Sequence, residues 1–328
     1  MKNLEEKRYW IWLSLIPNLG CKKKEALLKF YKNPEIIYFL KKEELLKTKG
    51  MGEKTIKNML DKNLRNSVEK HMEFMLKNDI DIISIYDKEY PTILKQIYDP
   101  PISLYCKGDK TILNKKSIGI VGCREVTEYG KGAAKYFAYY LAKQNINVIS
   151  GLAKGVDSYA HIGAVCAQAE ENNPQEELNN PQERENNSQV KNCPHVDNFK
   201  NCGKTVAVLG NGLDIVYPKE NEYLAKQIIE KGGAILSEYP LGTKPEKMNF
   251  PARNRIISGM SEGILVVEAK EKSGTLITVD FALEQGRDVF VVPGNINSVN
   301  SVGTNRLIQQ GAKLVTNYSE IFWKSIDF

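Results

Sequence analysis

The sequence predicts an α/β fold built on a doubly wound, mostly parallel sheet and preceded by a small all-helical region. Three observations carry this. Ile264–Val267 and Val289–Val292 are short, continuous apolar runs bounded by turn residues, the pattern of strands buried on both faces. Thr275 to Gln285 lies between them, with apolar side chains at Ile277, Phe281 and Leu283, and has the length of a crossover helix. The same strand–helix alternation repeats from Ser117 to Val315.

Taken in order, residues 1–77 read as the helical domain. Pro17-Asn18-Leu19-Gly20 precedes Ala26, Leu27, Leu28 and Phe30, and the pattern returns as Thr48-Lys49-Gly50-Met51-Gly52 before Ile56 and Met59. An apolar–Gly–x–Gly turn between two helices resembles a helix-hairpin-helix, which offers backbone N–H groups to a nucleic-acid phosphate. A purely structural turn, with Gly ending a helix, is the other reading. Residues 78–116 read as a connecting arm. Ile80, Ile82, Ile83 and Ile85 mark one strand there, and Pro91, Pro100, Pro101 and Gly108 break up the rest.

Residues 117–320 form the sheet domain. Its strand candidates are Ile118–Val121, Val148–Ile149, Val206–Leu209, Ala234–Leu236, Ile264–Val267, Val289–Val292 and Lys313–Val315, separated by helices such as Gly130–Lys143, Val156–Val165 and Tyr223–Lys231. Residues 167–202 interrupt the alternation with nine Asn and four Gln, and Asn-Asn-x-Gln recurs at 172, 179 and 186. The repeat is polar rather than apolar, so a flexible surface insertion is expected, not a coiled coil.

Charge is unevenly spread. Residues 1–70 hold 17 Lys/Arg against 9 Asp/Glu, whereas the whole chain carries only +6. A basic end of this kind fits a polyanion partner or a solvated Lys-rich surface. No run approaches the ~18 apolar residues of a membrane span, and the N-terminus lacks the apolar core and cleavage site of a secretory signal. Six scattered cysteines suit a reducing cytoplasm, so a cytoplasmic protein is expected.

The polar motifs sit where strands end: Gly122-Cys123-Arg124, Gly151 to Ser158, Gly210 to Asp214 with Tyr217-Pro218, Ser237-Glu238-Tyr239-Pro240, Ser273-Gly274-Thr275 and Gly303-Thr304-Asn305. Glycine at strand ends serves tight turns. Arg, Lys, Ser, Thr and Asp joining it along one edge point to a shared binding cleft. Gly210-x-Gly212 has Ile215 where a dinucleotide fingerprint needs Gly, and Gly203-Lys204-Thr205 has Asn198 where a Walker A loop needs Gly, so neither NAD nor ATP is expected. Cys193, His195 and Cys202 match no standard zinc spacing, His161 sits in a helical stretch, and no Ser/His/Asp set is legible. The expectation is therefore no metal, no cofactor and no catalytic residue. Phosphate remains as the ligand, because small-residue loops, helix N-termini and Arg all suit its oxygens. Phe250, between Lys247 and Arg253, is either a surface on which a base stacks or a core residue beside Pro251.

GCREVTEYG, SGLAKGVDSYAH, VAVLGNGLDIVYP, SEYP, FPARNRIISGMS, VVEAKEKSGTLITVDFALEQGR and VVPGNINSVNSVGTNRLIQQGA, in this order, closely resemble the DNA-processing protein A family (DprA, also called Smf). The resemblance runs from about Tyr90 to Val315. It implies an extended Rossmann-like domain that forms a homodimer, binds single-stranded DNA without sequence preference, protects incoming DNA and loads the RecA recombinase during natural transformation and homologous recombination. It places DNA-binding roles on Arg124, Lys247, Phe250, Arg253 and Asn254, with Gly151, Lys154, Gly155, Ser273, Gly274 and Thr275 lining the same cleft. Two departures stand out: the insertion at 167–202, and a chain that stops where some relatives continue into a winged-helix domain. A second reading comes from phosphoribohydrolases of nucleoside monophosphates, which the fold also resembles. There Glu268 is an acid–base residue, although Lys272-Ser273-Gly274-Thr275 replaces their Pro-Gly-Gly-x-Gly-Thr.

Overall fold

The central strands are mostly apolar because helices cover both faces of the sheet they form. The computed structural model describes residues 2–48, 51–172 and 202–325. The chain opens with α1 (Lys2–Leu15), α2 (Cys21–Tyr31), α3 (Pro34–Phe39), α4 (Lys42–Leu46), α5 (Glu53–Met59) and α6 (Lys62–Lys77). Local chemistry sets their ends. Lys32, in left-handed backbone at φ 65°, stops α2; Asn33 accepts from the Glu35 N–H to start α3, with Pro34 in its first turn; and Asp61 caps α6 through the Asn63 N–H. Trp12, Leu13, Leu27, Leu28, Ile56 and Met59 are fully buried between these helices.

Beyond them come β1 (Ile80–Ser84), β2 (Ser103–Gly108), β3 (Ser117–Val121), α7 (Glu128–Lys143), β4 (Asn147–Ser150), α8 (Val156–Asn172), β5 (Thr205–Leu209), α9 (Glu222–Glu230) and β6 (Ala234–Ser237). Then follow α10 (Asn249–Gly259), β7 (Gly263–Val266), α11 (Gly274–Glu284), β8 (Asp288–Val291), α12 (Val302–Gln309) and β9 (Lys313–Leu314). Among the described residues they make one nine-stranded sheet in the order β1-β2-β6-β5-β4-β3-β7-β8-β9. β1–β2 and β2–β6 pair antiparallel and the other pairs are parallel. Helices α7, α8 and α9 cover one face and α10 and α11 the other. The sheet is therefore α/β, doubly wound and mostly parallel, as the sequence predicts. From β3 the chain winds outward through β4, β5 and β6, then returns to place β7 on the other side of β3. The switch point, where a nucleotide sits in folds of this kind, thus lies at the β3–β7 crevice.

Two expectations change at the boundaries. The arm at 78–116 supplies two strands rather than one, and they extend the sheet at its antiparallel edge. Pro100, Pro101 and Gly108, read as breakers, bracket β2, whose Ser-Leu-Tyr-Cys-Lys-Gly lacks an aliphatic run. Ile80, Ile82, Ile102 and Tyr105 join the helical core, so helices and sheet edge share one apolar cluster. The insertion expected at 167–202 begins later: residues 167–172 complete α8, and the buried Cys202 thiol donates to the Ala167 carbonyl over 3.4 Å. The rest of that expectation, with Cys193 and His195, lies outside the described residues. Among the described residues no helix is long and apolar enough to cross a membrane.

His161 is a core residue on α8. The Thr205 hydroxyl donates to the Val148 carbonyl at 2.9 Å, so His161 Nδ1, 2.7 Å away, is the donor to Thr205 Oγ1. Nε2 is buried without a partner, and burial together with the Arg253 charge lowers the His161 pKa from 6.5 to about 3. Above pH 6.5 both folded and unfolded chains hold this ring neutral. As pH falls below 6.5 the unfolded chain takes up a proton that the folded one refuses until about pH 3, so stability drops by up to about 1.4 kcal/mol per pH unit. Urea melts at pH 7 and pH 5 should show that loss, and His161→Phe should remove most of the difference. An unchanged difference would assign the acid sensitivity to other groups.

Candidate nucleic-acid interface

Near the carboxyl ends of β4 and β5, α10 supplies a side chain that bonds to backbone carbonyls. Arg253, in the second turn of α10, is buried, and its Nη1 donates to the carbonyls of Gly151 (2.8 Å) and Val208. Burial lowers its pKa to about 10, with the nearby buried Asp157 carboxyl acting in the opposite sense, so the guanidinium stays charged at neutral pH. Gly151 is required by this approach: a Cβ there would lie 2.5 Å from the guanidinium. Arg253 is thus the floor of the cleft rather than part of its surface. The neighbouring Asn254 is half-buried, and its Oδ1 accepts from Arg253 Nε at 3.3 Å.

Above this floor stands an aromatic–cation stack. Phe250, in the first turn of α10, lies over Gly210 at the end of β5, where a Cβ would come within 2.9 Å of the ring. It is half-buried and belongs to none of the three core clusters. The Tyr217 ring stacks beside it at 5.7 Å and 29°, and the exposed Arg124, from the loop after β3, places its guanidinium carbon 5.6 Å from the Phe250 centroid. The core alternative for Phe250 therefore gives way to a surface ring flanked by a second aromatic and a cation. Lys247 is exposed on the turn leading into α10, beside the exposed Met248. Arg124 and Lys247 make no ion pair with any described residue, which leaves both charges available to an anion.

The loop after β4 is rigid. Asn221 Nδ2 donates to the carbonyl of Leu152 (2.8 Å) and to Ser158 Oγ (3.0 Å), and Ser158 in turn donates to the Ala153 carbonyl (2.6 Å). Gly155 has φ +79° and presses on the Cys123 and Arg124 backbone, so no larger residue fits. Lys154 is exposed but paired with Glu220 at 2.6 Å. Ser273, Gly274 and Thr275 stand apart from the stack: Ser273 caps α11 through the Thr275 N–H, and its hydroxyl donates to Thr275 Oγ1 at 2.9 Å. No hydrogen bond, ion pair or ring contact joins that cap to Arg124, Phe250 or Tyr217 among the described residues.

The switch point itself is occupied. The buried Glu268 carboxylate accepts from the Thr127 N–H (3.0 Å), the Thr127 hydroxyl, Asn300 Nδ2 (3.2 Å) and the Cys123 thiol (3.4 Å). Burial and Glu268 push that thiol up to about 12, which keeps it a donor. Thr127 is the N-cap of α7, so an internal carboxylate lies where a bound phosphate would meet the helix N-terminus. In the helical region, Gly20 caps α2, whose first residue, Cys21, directs its thiol at Glu238 Oε1, 2.8 Å away. Gly50 of the second hairpin lies outside the described residues.

Tyr217 is the member of the stack to which the sequence alone assigns no role. Tyr217-Pro218 stands among the strand-end motifs, but stacking on Phe250 depends on a loop geometry that spacing does not encode.

Several known proteins share this architecture. A family model described as DNA recombination-mediator protein A matches residues 81–172 and 190–325. DNA processing protein DprA of Bacillus subtilis is 41% identical over 244 residues, 74% of this chain and 70% of that protein. DprA of Streptococcus pneumoniae is 39% identical over 238 residues, 73% of this chain and 72% of that one. The X-ray structure of Streptococcus pneumoniae DprA covers 98% of both chains with a TM-score of 0.73 at 31% identity. A structure of Helicobacter pylori DprA, which bears on that protein's single-stranded DNA binding mode, covers 74% of this chain and 93% of its own, with a TM-score of 0.57 at 28% identity.

If Arg253 is the floor, Arg253→Met should strand two buried carbonyls and lower stability by about 2–5 kcal/mol in urea melts. Arg253→Lys should recover only part of the loss, since an ammonium lacks the planar fork. A melt equal to the parent protein's would return Arg253 to the surface.

Proposed function

The chain belongs to the DNA recombination-mediator protein A family, and on that premise we propose that it binds single-stranded DNA without sequence preference. We further propose that it acts as a homodimer in the cytoplasm, protects incoming strands and passes them to RecA recombinase during transformation and homologous recombination. The observation that carries the DNA reading is the Arg124–Phe250–Tyr217 stack. A guanidinium takes a phosphate, an adjoining ring takes a base, and neither reads base edges. Lys247, three residues before Phe250, adds an exposed cation with no ion pair among the described residues, and Arg253 holds positive charge beneath the Gly151 loop. Single-stranded DNA binding by the Helicobacter pylori relative supports the same ligand.

A binding role is favoured over phosphoribohydrolase chemistry because Glu268, the candidate acid–base residue, is buried and already accepts from four donors. A carboxylate so engaged has no access to a substrate proton. Incubation with nucleoside monophosphates should release no free base, and release that Glu268→Gln abolishes would reverse this assignment.

The decisive measurement is binding to oligothymidine across a salt series. Affinity should fall with a slope of roughly −0.7 per phosphate neutralised. Arg124→Ala should weaken binding and flatten that slope by about one unit. Phe250→Ala should weaken binding by about 1–3 kcal/mol with the slope almost unchanged. Thermal melts check that both variants remain folded. A Phe250→Ala protein that binds normally would remove the stacking role.

A further inference from the structure

We propose that the outer face of α2 is a second landing for the same single strand, continuing the path that starts at the Arg124–Phe250–Tyr217 stack. This rests on the single-stranded DNA reading and extends it to the helical region. On its outer face α2 carries Lys22, Lys23 and Lys29 against one acid, Glu25, and Lys32 follows at its C-cap, while Lys24 turns inward to the Ser14 carbonyl. Glu25 is paired with Lys29 (2.8 Å) and lies 3.8 Å from Lys22, whereas Lys23 and Lys32 have no carboxylate partner among the described residues.

Two aromatic rings stand in solvent among these cations: Phe30 is 75% exposed and Tyr98 is 84% exposed. Lys23 and Phe30 are seven residues apart and so share one face of the helix. Lys22 Nζ lies 3.4 Å from the centroid of the Tyr98 ring and donates to the Tyr98 carbonyl, holding that ring against the start of α2. Exposed rings interleaved with unpaired lysines match what a single strand presents, bases to stack and phosphates to neutralise. A protein-docking patch would be expected to bury such rings under apolar neighbours, with fewer lysines at its centre.

The surface is also fastened to the cleft. Arg255, on α10 beside Asn254, donates from Nη2 to both Glu238 oxygens at 2.8 Å and from Nε to Asp99 at 2.9 Å. Cys21 of α2 donates to the same Glu238, and Asp99 adjoins Tyr98. Leu213 and Leu241, from the loops after β5 and β6, pack into the helical core. The start of α2 is thus joined through one side-chain network to the helix that carries Phe250, and the proposed path continues from the stack to Tyr98, Lys22 and Lys23.

The test compares a short oligothymidine of about 6 nucleotides with a long one of about 20, each across a salt series. The variants are Lys23→Gln/Lys29→Gln and Phe30→Ala; these side chains are exposed, so thermal melts should match the parent protein's. The double lysine variant should bind the long strand about tenfold more weakly with a salt slope smaller by one to two units, and leave the short strand unchanged. Phe30→Ala should weaken only the long strand, with its slope retained. Equal long-strand binding by parent and variants overturns the proposal, as does equal weakening of short and long strands. If the parent protein binds neither strand, it is the underlying DNA reading that fails, and the variants are not what decides it.

Discussion

Everything at the ligand edge of this protein hangs on a buried guanidinium. Buried backbone carbonyls need donors, and near the carboxyl ends of β4 and β5 those of Gly151 and Val208 accept from Arg253. Burying an ion costs several kcal/mol unless geometry and hydrogen bonds repay it. Arg253 meets that condition with two carbonyl acceptors, the Asn254 side chain and the buried Asp157 carboxyl. The consequence is positional. With Arg253 fixed, the first turn of α10 is fixed too, and Phe250 can only lie over Gly210 with Arg124 and Tyr217 as its neighbours.

A related constraint decides what the edge does not hold. Folds of this topology commonly seat a nucleotide phosphate at the switch point, where a helix N-terminus offers N–H groups and partial positive charge. Glu268 fills that position from within the chain, on the cap of α7, with Asn300 and Cys123 completing its shell. Glu238 plays a comparable part at the start of α2, where Cys21 and Arg255 hold it. Two internal carboxylates thus stand at helix starts that would otherwise attract anions. On the proposed reading, ligand charge would fall instead to side chains on the rim, of which Arg124 and Lys247 have no ion-pair partner among the described residues.

How much of this the sequence shows depends on the kind of signal. The sheet is legible because strands buried on both faces must be apolar throughout, and Ile118–Val121, Val206–Leu209 and Ile264–Val267 advertise it without reference to neighbours. β2 is not, because a strand of Ser, Leu, Tyr, Cys and Lys preceded by two prolines looks like a loop until its partners β1 and β6 are known. The candidate site divides the same way. Arg124 and Phe250 are found from motif and resemblance, but burial separates Arg253 from Lys247 six residues earlier, and burial is a property of the fold. Glu268 is ambiguous in sequence for the same reason, since an acid–base carboxylate and a structural one differ only in what surrounds them.

The split between a buried cation and exposed ones bears on specificity. Arg253 cannot move to follow a ligand, so its charge acts as a constant background under the Gly151 loop. Arg124 is exposed beside the Phe250 ring, and Lys247 is exposed on the turn before α10. A rim of that kind adapts to phosphates at varied spacing, while the ring accepts any base through its face. Reading base identity would need donors and acceptors held rigid against base edges, as Asn221 holds the loop after β4. The hydrogen-bonded polar groups here are turned to the backbone, and the exposed ones are cations beside the Phe250–Tyr217 stack. On the proposed single-stranded DNA reading, tolerance of sequence would follow from that division of labour, with the floor holding the structure and the rim meeting the strand.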